Sequence, residues 1–201
     1  MTGTVGAVVL KMFCALLGLL AVLFLMARMK GRDHRPYAAM AGMWIVLIDQ
    51  LVKVQTADRL ALGETADVLP PLVRLCRVHN YGAAWSSFSG ARWLLVAVTA
   101  VGMGLLVWLL IRVVRHPLGV WSVSCIVAGG VGNLIDRVRL GYVEDMLEFM
   151  FFDFPVFNVA DIFVTCGTVL AAVYYLRYYD RCDAKNWGKK HLGTDPSDDG
   201  E

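Results

Sequence analysis

Charged and amide side chains recur in this chain where long apolar runs begin or end. They are Asp49, Lys53, Asn80, Asn133, Asp136, Arg137, Asp145, Asn158 and Asp161. An ionisable group at membrane depth costs about 2.5–3.5 kcal/mol on insertion scales, so each of these groups is a candidate for a functional role. Two carboxyl groups held close together share a proton, and such a pair can both activate water and polarise a carbonyl group. If the fold brings acids of this set together, they could hydrolyse an amide.

Two sets of these residues have spacings that place their members on one helix face. Asp49 and Lys53 are four residues apart and can form an ion pair. Such a pair could equally end a helix or serve a site. Asn133, Asp136 and Arg137 stand at i, i+3 and i+4, so we expect Arg137 to neutralise Asp136 and Asn133 to orient them. For this trio structural support is the favoured interpretation.

The remaining acids also have a structural interpretation. Asn158 followed by Asp161 resembles a capping box, and the negative charge of Asp161 suits a helix N-terminus. Capping would explain both residues without catalysis. Asp145 follows Gly141 in a connection that returns the chain to the same layer, where an aspartate is usually just solvated. Residue types and spacing alone therefore leave the role of Asp145 open.

The elements that must position these groups are apolar stretches long enough to cross a bilayer. Hydrophobic residues make up 58% of the chain and charged residues 18%, against about half and a quarter in a soluble domain. A spanning helix needs about 20 apolar residues. Five stretches qualify or nearly so: 5–27, 36–54, 93–114, 118–135 and 157–179. The first has no basic n-region and no clear cleavage site, so we predict a retained helix rather than a signal peptide.

The positions of Lys and Arg predict the orientation of these spans. Basic residues collect in the links after the first, third and fifth stretches, which places those links in the cytoplasm. The amino terminus and the loops 55–92 and 136–156 then lie outside, together with the polar set. Residues 72–79 read as a short strand at the membrane surface, and the tail 181–201 is polar.

Several function classes are disfavoured. The five cysteines and four histidines are scattered, which predicts neither a metal site nor a disulfide framework. A net charge of +2 without a basic run interleaved with aromatics gives no indication of nucleic acid. A proton-coupled carrier would need ionisable groups through the membrane depth, and here the helix centres lack them. A structural subunit whose polar layer only holds helices together remains an alternative.

Four sequence blocks resemble the lipoprotein signal peptidase (signal peptidase II) family, in that family's order. The blocks are 49–53 (Asp-Gln-Leu-Val-Lys), 80–86 (Asn-Tyr-Gly-Ala-Ala-Trp-Ser), 132–137 with 141–145 (Gly-Asn-Leu-Ile-Asp-Arg, Gly-Tyr-Val-Glu-Asp) and 157–161 (Phe-Asn-Val-Ala-Asp). The third block followed by the fourth is a specific combination. The resemblance covers about residues 36–180.

This resemblance implies an aspartyl endopeptidase of the bacterial cytoplasmic membrane, with its active site at the extracytoplasmic face. Such enzymes remove the signal peptide from prolipoproteins, cutting before a cysteine that carries diacylglyceryl. The catalytic aspartates of the family match Asp145 and Asp161. The supporting residues match Asp49, Lys53, Asn80, Gly82, Asn133, Asp136, Arg137 and Asn158. No cofactor is implied.

The resemblance also implies an all-α polytopic membrane protein, a four-helix bundle with a small extracytoplasmic β element. We expect three regions: an extra N-terminal helix with its basic link (1–35), the peptidase domain (36–180) and a polar cytoplasmic tail (181–201). The expected partners are prolipoproteins and membrane lipid, and the chain is expected to act as a monomer. Glu144 departs from the family pattern and could perturb the pKa of Asp145. We further hypothesise that Asp161 is the ionised base, because a helix N-terminus favours negative charge.

Overall fold

The computed structural model describes residues 33–82 and 90–184. Within these residues the chain forms four long helices. They are α1 (Arg35–Ala57), α2 (Arg92–Arg112), α3 (Pro117–Arg139) and α4 (Val159–Tyr174), which continues as π-helical turns over Tyr175–Ala184. The predicted extra helix at 5–27 and most of the predicted tail lie outside the described residues.

All four helices are long and apolar enough to cross a membrane, counting α4 to Tyr179. The clearest case is α2, which has 21 residues and a length of about 31 Å at a rise of 1.5 Å per residue. None of its residues is buried against the part of the chain that the structure describes. A soluble helix would bury an apolar stripe, so α2 has the character of a helix surrounded by lipid. Four of the five predicted spans are thus found as helices in the described part of the chain.

The third helix packs against each of the other three and holds the bundle together. Its contact with α4 depends on Gly129, where a Cβ atom would fall on the carbonyl oxygen of Ala160 and 2.7 Å from Cγ2 of Val164. Small residues let membrane helices approach closely, because association there relies on packing rather than on the hydrophobic effect. The polar residues that follow on α3 are thereby brought against the start of α4.

A three-stranded antiparallel sheet covers one end of the bundle. The strands are β1 (Thr65–Leu69), β2 (Val73–Asn80) and β3 (Val143–Phe149), in the order β1-β2-β3. The strand predicted at 72–79 is confirmed as β2. The third strand was not predicted, because all of its first five residues are buried and its sequence does not alternate between apolar and polar. Since the sheet joins the loop after α1 to the loop after α3, both loops lie at the same end of the helices, as predicted.

Polar contacts also tie the opposite end of the bundle. The buried carboxylate of Asp183 accepts the backbone N–H groups of Arg115 and His116, at 3.1 and 3.2 Å, and the hydroxyl of Tyr174 donates to it. Arg35 Nη2 donates to the carbonyl oxygen of Val114 at 3.0 Å. The turn between α2 and α3 is thereby fixed to the beginning of α1 and to the end of the π-helical segment.

Replacing Gly129 by alanine should lower the free energy of unfolding by about 1–3 kcal/mol, because the added methyl group collides with backbone that cannot move cheaply. Gly102 in α2 is the matched control, since a Cβ atom there would have nothing within 4 Å. Unfolding of Gly129→Ala and Gly102→Ala in detergent measures the difference. Equal stabilities of the two variants would contradict the close packing of α3 on α4.

Candidate active site

A buried lysine lies at the centre of the polar layer. Lys53 Nζ is 2.8 Å from Oδ2 of Asp49 and 2.8 Å from Oδ2 of Asp136, and it donates to Oδ1 of Asn133 at 3.0 Å. All three charged side chains are at most 4% exposed. The predicted pair of Asp49 and Lys53 is confirmed, and Lys53 additionally connects α1 to α3.

The two carboxylates around Lys53 each hold a further segment in place. Asp49 Oδ1 accepts the backbone N–H of Ala160, at the start of α4, at 2.9 Å. Asp136 accepts the N–H of Glu144 at 3.3 Å and the side-chain amide of Gln50 at 2.8 Å. The buried carboxylates of Asp49 and Asp136 therefore hold the start of α4 and the start of β3 in position. Gln50 was missed as a site residue because only its adjacency to Asp49 marked it.

The predicted pairing of Arg137 with Asp136 is wrong. Asp136 faces α1 and pairs with Lys53, whereas Arg137 Nη2 donates to the carbonyl oxygen of Gly82 at 2.9 Å. Consecutive helix residues point about 100° apart, so Asp136 and Arg137 need not share a partner. Asn133 and Arg137, four residues apart, share the helix face that lines the cavity described below.

Two asparagine amides connect the acids that were predicted to be catalytic. Asn133 Oδ1 accepts from Lys53 and, at 3.0 Å, from Asn158 Nδ2, so its own Nδ2 group is directed to Oδ1 of Asp161 at 2.8 Å. Asn158 Nδ2 also donates to Oδ1 of Asp145 at 2.6 Å. One amide, that of Asn133, thus links Lys53 to Asp161, and two amides, those of Asn133 and Asn158, link Lys53 to Asp145.

A third amide holds the other oxygen of Asp145. Asn80, at the end of β2, donates from Nδ2 to Oδ2 of Asp145 at 2.9 Å. The orientation of this amide is set by Gly82, whose N–H donates to Oδ1 of Asn80 at 3.0 Å. Both oxygens of Asp145 therefore accept a hydrogen bond from a positioned amide.

The capping box predicted at the start of α4 is confirmed. Asn158 Oδ1 accepts the N–H of Asp161 at 3.0 Å, and Asp161 Oδ2 accepts the N–H of Asn158 at 3.0 Å. Capping occupies only Oδ2, because Oδ1 of Asp161 accepts from Asn133. Asp161 can thus cap α4 and belong to the candidate site at the same time, although the sequence alone presents these as alternatives.

Asp145 and Asp161 line one cavity of about 430 Å³. Its polar end also includes Asn80, Asn133 and Arg137. The rest of its wall comes from β3, from the segment after β3 and from the first turns of α4, namely Val143, Phe149, Phe154, Pro155, Val156, Phe157, Ile162, Val164, Thr165 and Cys166. A mostly apolar pocket with a few convergent polar groups is typical of a binding site.

The carboxyl group of Asp145 is set to hold a proton near neutral pH. Its side chain is 2% exposed, and burial together with the negative charge of Asp161 raises its pKa to about 7, against the lowering effect of the amides of Asn80 and Asn158. Glu144 points to the other face of β3, where it pairs with Arg77 at 2.8 Å. Two carboxyl groups of which one keeps a proton can act as an acid and a base.

Residues 41–177 match the profile of the family described as Signal peptidase (SPase) II. A "Lipoprotein signal peptidase" of Lactiplantibacillus plantarum is 38% identical over 136 residues, covering 66% of this chain and 89% of the relative. One from Enterococcus faecalis is 37% identical over 135 residues, covering 66% and 83%. A solved bacterial membrane enzyme, determined by the in meso method at 1.9 Å, has a TM-score of 0.69 and 28% identity and covers 75% and 99%.

Replacing Lys53 by methionine should lower the free energy of unfolding by about 3–5 kcal/mol, since Asp49 and Asp136 would stay buried without their cation. Arg74→Met is the matched control, because its pair with Glu148 is partly exposed and should contribute far less. Chemical unfolding in detergent compares the variants. Equal losses from both substitutions would show that Lys53 is not the organising charge.

Proposed function

The chain belongs to the signal peptidase II family, and we propose that Asp145 and Asp161 are the catalytic pair with which it hydrolyses its substrates. It is an aspartic-type peptidase of bacteria that removes signal peptides from prolipoproteins. The observation that carries the catalytic assignment is that both carboxyl groups line the same cavity and are joined through Asn133 and Asn158.

In the proposed mechanism Asp161 is the base and Asp145 the acid. Asp161 stands in the first turn of α4, where the helix dipole favours its ionised form. Asp161 takes a proton from water as the oxygen attacks the scissile carbonyl carbon. The protonated Asp145 donates a hydrogen bond and then its proton to the carbonyl oxygen, forming a tetrahedral diol. Collapse of this diol breaks the C–N bond: one hydroxyl proton of the diol returns to Asp145, and the proton held on Asp161 goes to the leaving amine.

Neighbouring amides would keep the two acids in these roles. Asn133 and the N–H of Asn158 donate to Asp161, and such donation favours an ionised carboxylate. Burial opposes ionisation of Asp145 until the pH approaches 7. Arg137 also lines the cavity, with its Nη2 group bound to Gly82 on the chain beyond β2. A positive charge there would stabilise negative charge that develops on the substrate carbonyl.

The remaining features of the substrate follow from the cavity and its setting. We infer that the chain cuts before a cysteine bearing diacylglyceryl, because the cavity is mostly apolar and extends along α4 as far as Cys166. Acyl chains could stay in this apolar part while the peptide bond lies beside the acids. The sheet end is assigned to the extracytoplasmic side because eleven of the nineteen Lys and Arg residues fall at the end of, or in the sequence after, the first, third and fifth predicted spans, at the other end. Monomeric action and the three-region division remain predictions.

A purely structural role for the polar layer is the main alternative. It accounts for Lys53, Asp49 and Asp136, whose contacts join the helices to one another and to β3. It does not account for Asp145, a buried acid that faces a cavity and whose bonded partners are amides rather than a cation. An unpaired buried acid is costly, and such groups cluster at functional sites.

Asp145→Asn and Asp161→Asn should each lower the rate of prolipoprotein cleavage by at least about 10²–10⁴-fold, the range usual for losing a general acid or base. Both variants should insert normally, because asparagine keeps the size of the side chain. The measurement is cleavage of a diacylglyceryl-modified prolipoprotein by purified protein in vesicles.

Asp153→Asn is the control for this experiment. Asp153 lies between β3 and α4 as well, but it is exposed, so its variant should cleave at the unaltered rate. Full activity of either Asp145→Asn or Asp161→Asn would remove that residue from the catalytic pair.

A further inference from the structure

A group of exposed apolar side chains extends from the edge of the sheet beyond the active-site cavity. The segment 150–154 follows β3 and carries Phe151, 61% exposed, and Phe152, 47% exposed. The turn between β1 and β2 lies beside it, since the N–H of Met150 donates to the carbonyl oxygen of Leu72 at 3.0 Å. We call these exposed side chains the apolar tip; they are Leu69, Leu72, Met150, Phe151, Phe152 and Phe154.

The apolar tip is continuous with the wall of the cavity. Phe152 stacks on Phe149 with ring centres 5.1 Å apart, and Phe149 is 5.0 Å from Phe157, which directly precedes the N-cap of α4. Phe154 is 5.8 Å from Phe157. Five phenylalanine rings thus form one connected cluster, because Phe151 also lies 4.8 Å from Phe152.

The position of this cluster along the bundle places it at membrane depth. Phe149 and Phe154 line the same cavity as Val164 and Cys166 of α4. Cys166 lies seven residues past the start of α4, about 10 Å along the helix at 1.5 Å per residue. Side chains that share a cavity with that part of a membrane-spanning helix cannot stand far above the end of the span.

The composition of the apolar tip matches a lipid surface. Contiguous exposed apolar patches mark interaction sites, and leaving phenylalanine rings in water is unfavourable. Asp153 is the one charged residue of segment 150–154, and a carboxylate is costly deep in hydrocarbon. These features together suit the boundary between headgroups and acyl chains, where Phe and Leu of peripheral segments insert by about 5–10 Å.

We propose that the apolar tip inserts into the bilayer beside α4 and holds the sheet against the membrane surface. The inference rests on the membrane-spanning helices and is independent of the catalytic assignment of Asp145 and Asp161. Insertion places the wall formed by Phe149 and Phe154 directly against lipid. On the other side of the cavity, the lipid-facing Ile162 and Cys166 are exposed. The cavity would then receive an acyl chain from the bilayer without passage through water.

The test is photo-crosslinking from p-benzoylphenylalanine placed at position 152 of the full chain in vesicles of phosphatidylethanolamine and phosphatidylglycerol. The substituted side chain is aromatic and exposed, so the fold should tolerate it, and an unaltered unfolding temperature in detergent checks this. Val101, 73% exposed on α2, is the lipid-facing reference position. Leu62, 60% exposed in the loop after α1 but outside the apolar tip, is the matched control.

We expect the yield of lipid adducts at 152 to approach that at 101 and to exceed that at 62 several-fold, with substrate absent. Lipid adducts at 152 no more abundant than at 62 would overturn the proposal. Adding a signal peptide provides a second arm. Replacement of the lipid adducts by peptide adducts would show that the apolar tip is a substrate-docking surface instead, whereas persistence of the lipid adducts supports anchoring.

Discussion

A charge removed from water must find a partner, and in this protein that requirement is met at Lys53. Its ammonium group is shared by Asp49 and Asp136. Separating α1 from α3 would therefore leave three charges without partners in a medium of low dielectric constant. Asp49 extends the same constraint to the first turn of α4 through the N–H of Ala160. Gly132 permits it, because a Cβ atom there would lie 2.6 Å from Oδ2 of Asp49. The rest of the polar layer is arranged around this cation.

Within that framework the asparagine amides hold two carboxyl groups, Asp145 and Asp161, in different surroundings. Asn133 can present its N–H to Asp161 only because its oxygen is occupied by Lys53 and Asn158. Asp161 lies at a helix N-terminus among donors, whereas Asp145 lies on a buried strand beside a like charge. Burial and repulsion favour the protonated form of Asp145, which leaves Asp161 as the proposed base. A pair of carboxyl groups in unequal environments is the arrangement that acid–base hydrolysis requires.

Local spacing predicted the parts of this site that depend on one element alone. The pair of Asp49 and Lys53 and the capping box of Asn158 and Asp161 are both set by helical geometry. Partners across elements were predicted poorly: Arg137 was assigned to Asp136, although a cation from another helix takes that place. The strand that carries Asp145 was missed because burial on both faces removes the alternation by which strands are recognised. The catalytic role of Asp145 is predicted by the family resemblance and not by spacing.

Carboxyl ¹³C NMR of Asp145 tests most directly whether Asp145 and Asp161 act as one pair. In the unaltered protein Asp145 should keep its proton up to a pH of about 7. In Asp161→Asn the neighbouring negative charge is gone, so the pKa of Asp145 should fall while burial still holds it above the value of a solvated aspartate. An Asp145 pKa that is the same in both proteins would contradict the account, since the two carboxyl groups would then not sense each other.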